Sequence, residues 1–114
     1  MVRILIVEDQ RIMQKYFESI IMREPEFRHV QTVSDACEAV KICSYSAIDL
    51  VLMDVQMPNM DGYAATKAIR ELQDARAKIP VIAMTANVYD EDKQRAFASG
   101  MTGFIAKPLN IKTM

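Results

Sequence analysis

Apolar residues along this chain alternate between two spacings: short continuous runs, and segments where they recur every three or four positions. Arg3–Val7 (RILIV) is a β-branched run of the kind that a strand buried on both faces requires. After Glu8-Asp9, the residues Ile12, Met13, Tyr16, Phe17, Ile20 and Ile21 recur at helical spacing, and Pro25 closes that helix. His29–Val33 predicts a second, weaker strand. Ser34 follows as an N-cap before a stripe of Ala36, Ala39, Val40 and Cys43, which predicts a short second helix. Asp49–Met53 predicts the third strand, and beyond a Pro-Asn-Met-Asp-Gly loop Ala65, Ala68, Ile69 and Leu72 mark the inner face of a third helix. Pro80–Met84 predicts the fourth strand. Asp90-Glu91-Asp92 opens a fourth helix with acids where the helix dipole favours them, and Ser99-Gly100 closes it. The apolar face of that helix is thin, chiefly Ala96 and Phe97. Phe104–Ala106 predicts the fifth strand.

Strands alternating with helices in this way predict βαβ crossovers, hence a doubly wound α/β fold with a five-stranded parallel sheet and helices on both faces. Ligands of such folds sit outside the carboxyl ends of the strands, where the strand order reverses. The residues at those ends are Glu8 and Asp9 after the first strand, Asp54 at the third, Thr85 after the fourth and Lys107 after the fifth. An acid where one strand leaves the core for water is ordinary. Several chemistry-bearing ends that the topology can bring to one pocket are not.

Three carboxylates held together repel one another unless a cation joins them. Oxygen ligation that leaves positions for water and phosphate suits Mg²⁺ better than zinc or copper. Lys107 supplies a point charge for a phosphate oxygen, and Thr85 a short hydroxyl donor. Asp54 can then act as a nucleophile toward a phosphoryl group, giving an aspartyl phosphate.

Bulk properties narrow the classes without adding a site. The 114 residues and 13.0 kDa predict one domain spanning 1–114. A net charge of -1, from 14 basic and 15 acidic residues, gives no footprint for direct nucleic-acid binding or for an anionic membrane. No apolar run approaches the roughly 20 residues of a membrane span, and no signal-peptide pattern follows Met1, so a cytoplasmic location is expected. Cys37 and Cys43 lie on one predicted helix with Cα atoms roughly 9 Å apart, beyond the ~7 Å reach of a disulfide, so both are expected reduced. A histidine-based catalytic mechanism would have to use His29, which the pattern places in a strand as a structural or exposed residue. The nine methionines are scattered without a stripe, as core gap-fillers are.

Four stretches together are highly specific: VEDQ (7–10), LVLMDVQMPNMDG (50–62), PVIAMTAN (80–87) and GFIAKPL (103–109). They resemble the receiver domain of two-component response regulators over nearly the whole chain. The resemblance implies a flavodoxin-like strand order 2-1-3-4-5 and makes Asp54 the phosphoacceptor. Glu8 and Asp9 would be the acidic pair, and the backbone carbonyl of Gln56 would complete the Mg²⁺ shell. Thr85 and Lys107 would contact the phosphoryl group, Thr85 and Phe104 would form the switch, and the Lys107-Pro108 bond would be cis. The implied partners are a histidine kinase or histidine phosphotransfer protein and a downstream or fused output domain. The run from Ala83 to Leu109 is similar to receivers attached to hybrid sensor kinases or used in phosphorelays.

Three departures from the commonest family pattern bear on these roles. Glu8 stands where Asp is frequent, so its longer arm is expected to meet Mg²⁺ through water, with Asp9 ligating directly. Phe104 lacks the hydroxyl of the Tyr often found there. The chain stops at Met114, about one turn into where a fifth helix would run. A truncated receiver is therefore expected, with the fifth helix largely absent and a sheet face beside the first helix through which copies can self-associate. Two alternatives share parts of the pattern. An aspartyl-phosphate phosphatase of the haloacid dehalogenase type would need a second Asp where Gln56 stands, and a phosphate-independent interaction module would not need Asp9, Asp54, Thr85 and Lys107 together. An FMN carrier of flavodoxin type is disfavoured, because Glu8-Asp9-Gln10-Arg11 would repel the phosphate.

Overall fold

The structure, a computed structural model, describes residues 2–25, 29–55, 61–72, 75–85 and 90–106, apart from the side chains of residues 75 and 90–92. Its strands are β1 (Arg3–Val7), β2 (His29–Val33), β3 (Leu50–Asp54), β4 (Val81–Thr85) and β5 (Gly103–Ala106). The helices are α1 (Arg11–Ile21), α2 (Ala36–Tyr45), α3 (Gly62–Arg70) and α4 (Asp90–Ala98), with a 3-10 turn at Ala75–Lys78. All strand pairings are parallel, in the order β2-β1-β3-β4-β5. This is the doubly wound, flavodoxin-like sheet that the alternation of periods and the family resemblance predict.

The central strands β1, β3 and β4 are buried on both faces, which is why they read as unbroken apolar runs. Leu5, Val7, Val51, Met53, Val81 and Ala83 pack on one face against Ala36, Ala39, Ile42 and Cys43 of α2, Ala65 and Ile69 of α3 and Ala96 of α4. Ile4, Ile6, Leu52 and Met84 point to the other face and meet Met13 and Phe17 of α1. A large apolar side chain buried in such a layer stabilises the fold by about 1.5–3 kcal/mol. Of the six apolar positions that mark α1 in the sequence, Met13 and Phe17 are buried and Ile21 packs partly; Ile12, Tyr16 and Ile20 are exposed along its outer side.

Element ends differ from the sequence expectation by one residue where pairing, rather than composition, sets them. Asp49 precedes β3 because it is spent on Arg3: its N–H donates to the Arg3 carbonyl at 2.9 Å and its carboxylate accepts the Arg3 N–H at 2.8 Å. The ladder then runs on to Asp54, opposite Met84. Pro80 has no N–H for a ladder, so β4 starts at Val81 and extends to Thr85, opposite Ala106. The N-cap of α2 is Asp35, whose carboxylate accepts the Cys37 N–H at 2.8 Å, rather than the neighbouring Ser34. Leu72 lies past the end of α3 but still packs on the core. Phe97 is exposed, so the buried face of α4 is Ala96 with the turn residues Ser99 and Met101 behind it.

Neither cysteine is in a disulfide; Cys37 is exposed and Cys43 is buried among α2's core contacts. Burial pushes the Cys43 thiol up from 9.0 to about 11, against a smaller opposing pull from Arg70. The neutral thiol is thus favoured more in the folded chain than in the unfolded one. Its contribution to stability is complete below pH 9.0 and is lost as pH rises toward about 11. Urea unfolding across that window should show a fall approaching about 1.4 kcal/mol per pH unit, and Cys43→Ala should flatten it. Near neutral pH, iodoacetamide should add a single group to the native protein, on Cys37, with the second adduct appearing only after denaturation.

Candidate functional site

The strand order reverses between β1 and β3, so a crevice opens where the chain leaves their carboxyl ends in opposite directions. Val7 of β1 lies opposite both Val33 and Met53, which brings the next residues of β1 and β3, Glu8 and Asp54, to the same edge. Glu8 stays on the sheet because its N–H donates to the Val33 carbonyl at 2.9 Å. One carboxylate oxygen from each of Glu8, Asp9 and Asp54 lies within 4.8 Å of the others. The three differ in exposure: Glu8 is 0% and Asp54 3% exposed, whereas Asp9 faces solvent. Thr85 is buried at the end of β4, beside the Asp54–Met84 pair, and the Val55 N–H donates to the Met84 carbonyl at 3.3 Å.

The chemistry of this donor set fits a hard divalent cation. Opposite ligands of an octahedral Mg²⁺ stand about 4.2 Å apart, given metal–oxygen distances of about 2.0–2.1 Å. Oxygens already within 4.8 Å of one another therefore need only a small closing movement, or one intervening water. The Glu8 Oε2 accepts the Gln10 N–H at 3.0 Å, which holds that carboxylate at the start of α1.

Other residues singled out from the sequence divide into two groups. Gln56, Lys107 and Pro108 lie outside the described residues, and β5 is described to Ala106, opposite Thr85. Phe104 is half-buried and sits away from the acids, under α4. Its ring meets that of Phe97 edge-on at 6.0 Å between centroids, and the Lys93 Nζ stands 5.1 Å from its centre.

Two supporting residues escaped the sequence reading. Gln14 Nε2 donates to the Glu8 carbonyl at 2.5 Å, fastening the first turn of α1 to the acidic end of β1. Gly62, which reads as a loop residue, is the first residue of α3 and presses against β3. A Cβ there would stand 2.5 Å from the Asp54 carbonyl oxygen and 2.9 Å from both Met53 Cγ and Val55 Cα. Its N–H donates to the Val55 carbonyl at 3.2 Å, and Asp61 before it caps α3 by accepting the Ala64 N–H at 2.8 Å. The one available signal was Asp61-Gly62 just ahead of the Ala65-Ala68-Ile69 stripe, an N-cap pattern.

A doubly wound parallel α/β sheet with an acidic cluster at its switch point, where such folds take their ligands, defines the broad class of this chain. Comparison with known proteins narrows it. Residues 4–114 match the family model of the response regulator receiver domain, and the chain belongs to that family. It is 43% identical over 84 residues to the sensor histidine kinase RcsC of Salmonella typhimurium, a stretch covering 74% of this chain and 8% of that protein. It is 36% identical over 117 residues to hybrid signal transduction histidine kinase B of Dictyostelium discoideum, covering 94% of this chain and 6% of that protein. The chain thus spans a small fraction of the curated relatives it matches. The receiver domain of a Pseudomonas aeruginosa PAO1 sensor histidine kinase, solved with magnesium coordinated in its active-site cleft, superposes with a TM-score of 0.82 at 35% identity, over 96% of this chain and 87% of that one.

Gly62→Ala tests whether close packing of α3 on β3 sets the position of Asp54. The added methyl must displace backbone rather than a flexible side-chain tip. A stability loss of about 1–3 kcal/mol is expected, together with weaker Mg²⁺ binding. Denaturant unfolding and an Mg²⁺ titration followed by tyrosine fluorescence would measure both effects.

Proposed function

We propose that this chain is a phosphoacceptor receiver domain of a cytoplasmic two-component system. In this reading it takes a phosphoryl group onto Asp54 from a phosphohistidine on a histidine kinase or histidine phosphotransfer protein. The observation that carries the reading is the clustering of the nearly buried Asp54 with Glu8 and Asp9 at the sheet's switch point. The relatives named as sensor and hybrid histidine kinases support the choice of donor. Bound Mg²⁺ would supply charge neutralisation at the acids and at the phosphoryl oxygens.

Asp9 and Asp54 would hold the metal directly, Glu8 through water, and the Gln56 carbonyl would complete the protein's share of the ligands. An oxygen of Asp54 attacks phosphorus in line as the phosphorus–nitrogen bond of the donor breaks, and the departing imidazole nitrogen keeps the electron pair and takes up a proton. Lys107 offsets charge on the transferring oxygens, and the Thr85 hydroxyl donates to one of them. Water attack on the same phosphorus later releases inorganic phosphate and restores the carboxylate, so the domain dephosphorylates itself and needs no separate enzyme. Phe104 would turn toward the space that Thr85 leaves, with the Lys107-Pro108 bond cis, changing the surface formed by α4 and β5. That surface addresses a downstream or fused output domain rather than nucleic acid.

Acetyl phosphate with Mg²⁺, followed by intact mass and peptide mapping, tests the reading. Wild-type protein should gain the mass of a single phosphoryl group on Asp54, and Asp54→Asn should gain none while keeping its fold, because the amide retains the shape but lacks the nucleophilic oxygen. Equal labelling of the two, or no labelling of either, would contradict the proposal. The second result would favour a phosphate-independent interaction module.

A further inference from the structure

Arg70, the last residue of α3, donates to three backbone carbonyls in two different loops. Its Nε reaches the Gly100 carbonyl at 2.9 Å, and its Nη1 reaches those of Ala77 and Ile79 at 3.0 and 2.7 Å. The guanidinium therefore joins the end of α3, the approach to β4 and the turn that ends α4. Burial lowers its pKa, but three charge-assisted hydrogen bonds use the planar fork in a way that a lysine ammonium could not reproduce.

Gly100 is shaped to this contact. Its φ of +103° is open to glycine, and an added Cβ would lie 2.9 Å from the Arg70 Cγ. The rest of that turn is equally fixed. The Gly100 N–H donates to the Phe97 carbonyl at 3.0 Å, the Met101 N–H to the Ala96 carbonyl at 3.0 Å, and the Thr102 N–H to the Val81 carbonyl at 2.8 Å. Ala96, Ser99 and Met101 are buried.

The remaining described contacts of α4 are of another kind. Arg95 lies over the Tyr63 ring at 4.6 Å and 4.0 Å from an Asp61 oxygen, both partners of that ion pair being exposed. Lys93 stands over Phe104, and exposed Phe97 leans on the same ring. Exposed contacts of these types contribute roughly 0.2–1 kcal/mol each and are readily exchanged.

We propose that Arg70 is an anchor that fixes the carboxyl end of α4, so that this helix responds to the phosphoryl site by pivoting about Gly100 rather than by sliding as a whole. The anchoring stands on the hydrogen bonds alone; the pivoting rests on the functional reading above. Amide hydrogen exchange on the full chain separates the two.

In unphosphorylated Arg70→Lys, the amides of Gly100, Met101 and Thr102 should exchange at least about tenfold faster than in wild type, as expected from losing a charge-assisted hydrogen bond. Amides of β1 and β3 should keep their wild-type protection. Unchanged exchange at Gly100–Thr102 would overturn the anchor, and so would an equal rise at β1 and β3, which would make Arg70 a general core residue. Gly100→Ala, which displaces the Arg70 stem without removing its charge, should loosen the same three amides.

With acetyl phosphate and Mg²⁺, wild-type changes should concentrate at 93–97 and at Phe104, extend to Gly100 through its Phe97 acceptor, and leave Thr102, whose N–H donates to Val81, as it was. Changes of equal size at Thr102 would overturn the pivot. Absence of any phosphoryl mass on Asp54 would instead count against the functional reading, with the anchor still decided by the unphosphorylated exchange data.

Discussion

Parallel register at the centre of the sheet is the constraint on which everything else depends. Because Val7 lies between Val33 and Met53, the chain has no choice about where Glu8, Asp9 and Asp54 emerge: all three leave the core at one edge, within 4.8 Å of one another. The apolar layers on both faces hold that register, since a slip of one residue would exchange Leu5 and Val7 with Ile4 and Ile6 and turn each face's side chains to the other. Mutual repulsion of the acids is thus imposed by the burial of their neighbours, and a cation is the simplest relief. In this sense the core and the site are one structure: burial of Met53 and Val7 stabilises the fold and fixes the distance between the acids.

The supporting contacts extend the same logic outward. Gly62 allows α3 to approach β3 closely enough to press on the backbone of Asp54, Asp61 caps that helix from the adjoining position, and Gln14 ties α1 to Glu8. On the far side of β4, α4 is fastened near its carboxyl end by Arg70 and by buried Ala96, and its other described side-chain contacts are the exposed ones around Phe104 and Tyr63. A rigid pocket next to a helix held firmly at one end is a suitable arrangement for turning a local charge change into an altered surface.

Much of this was legible in the sequence, and for identifiable reasons. Strands buried on both faces write themselves as continuous apolar runs, so β1, β3 and β4 stood out, with the acids at the ends of β1 and β3, and the less buried β2 and β5 were found from their places between and after helices. The ends of β3 and β4 were each misplaced by one residue, because Asp49 is diverted to Arg3 and Pro80 cannot join a ladder. Ser34 and Asp35 are both competent caps, and composition does not choose between them. Contacts that depend on how distant elements meet left no local trace. Neither Gln14 beneath Glu8 nor Arg70 against Gly100 lies in any pattern of spacing, and Gly62 looked like one more turn residue. The strand order came with the family resemblance and was not readable from periodicity, and so did the roles expected of Gln56, Phe104 and Pro108.

The most direct measurement of the central claim is an Mg²⁺ titration of the full chain followed residue by residue through its amide NMR shifts. If the carboxyl ends of the strands form one metal pocket, saturable shifts should appear at Glu8, Asp9, Asp54, Val55 and Thr85. They should be absent at Arg3, Leu50 and Val81, which begin the same strands at the opposite edge of the sheet. Shifts of similar size at both edges, or a saturable site that leaves Asp54 and Asp9 unmoved, would show that the clustered acids are not the metal site.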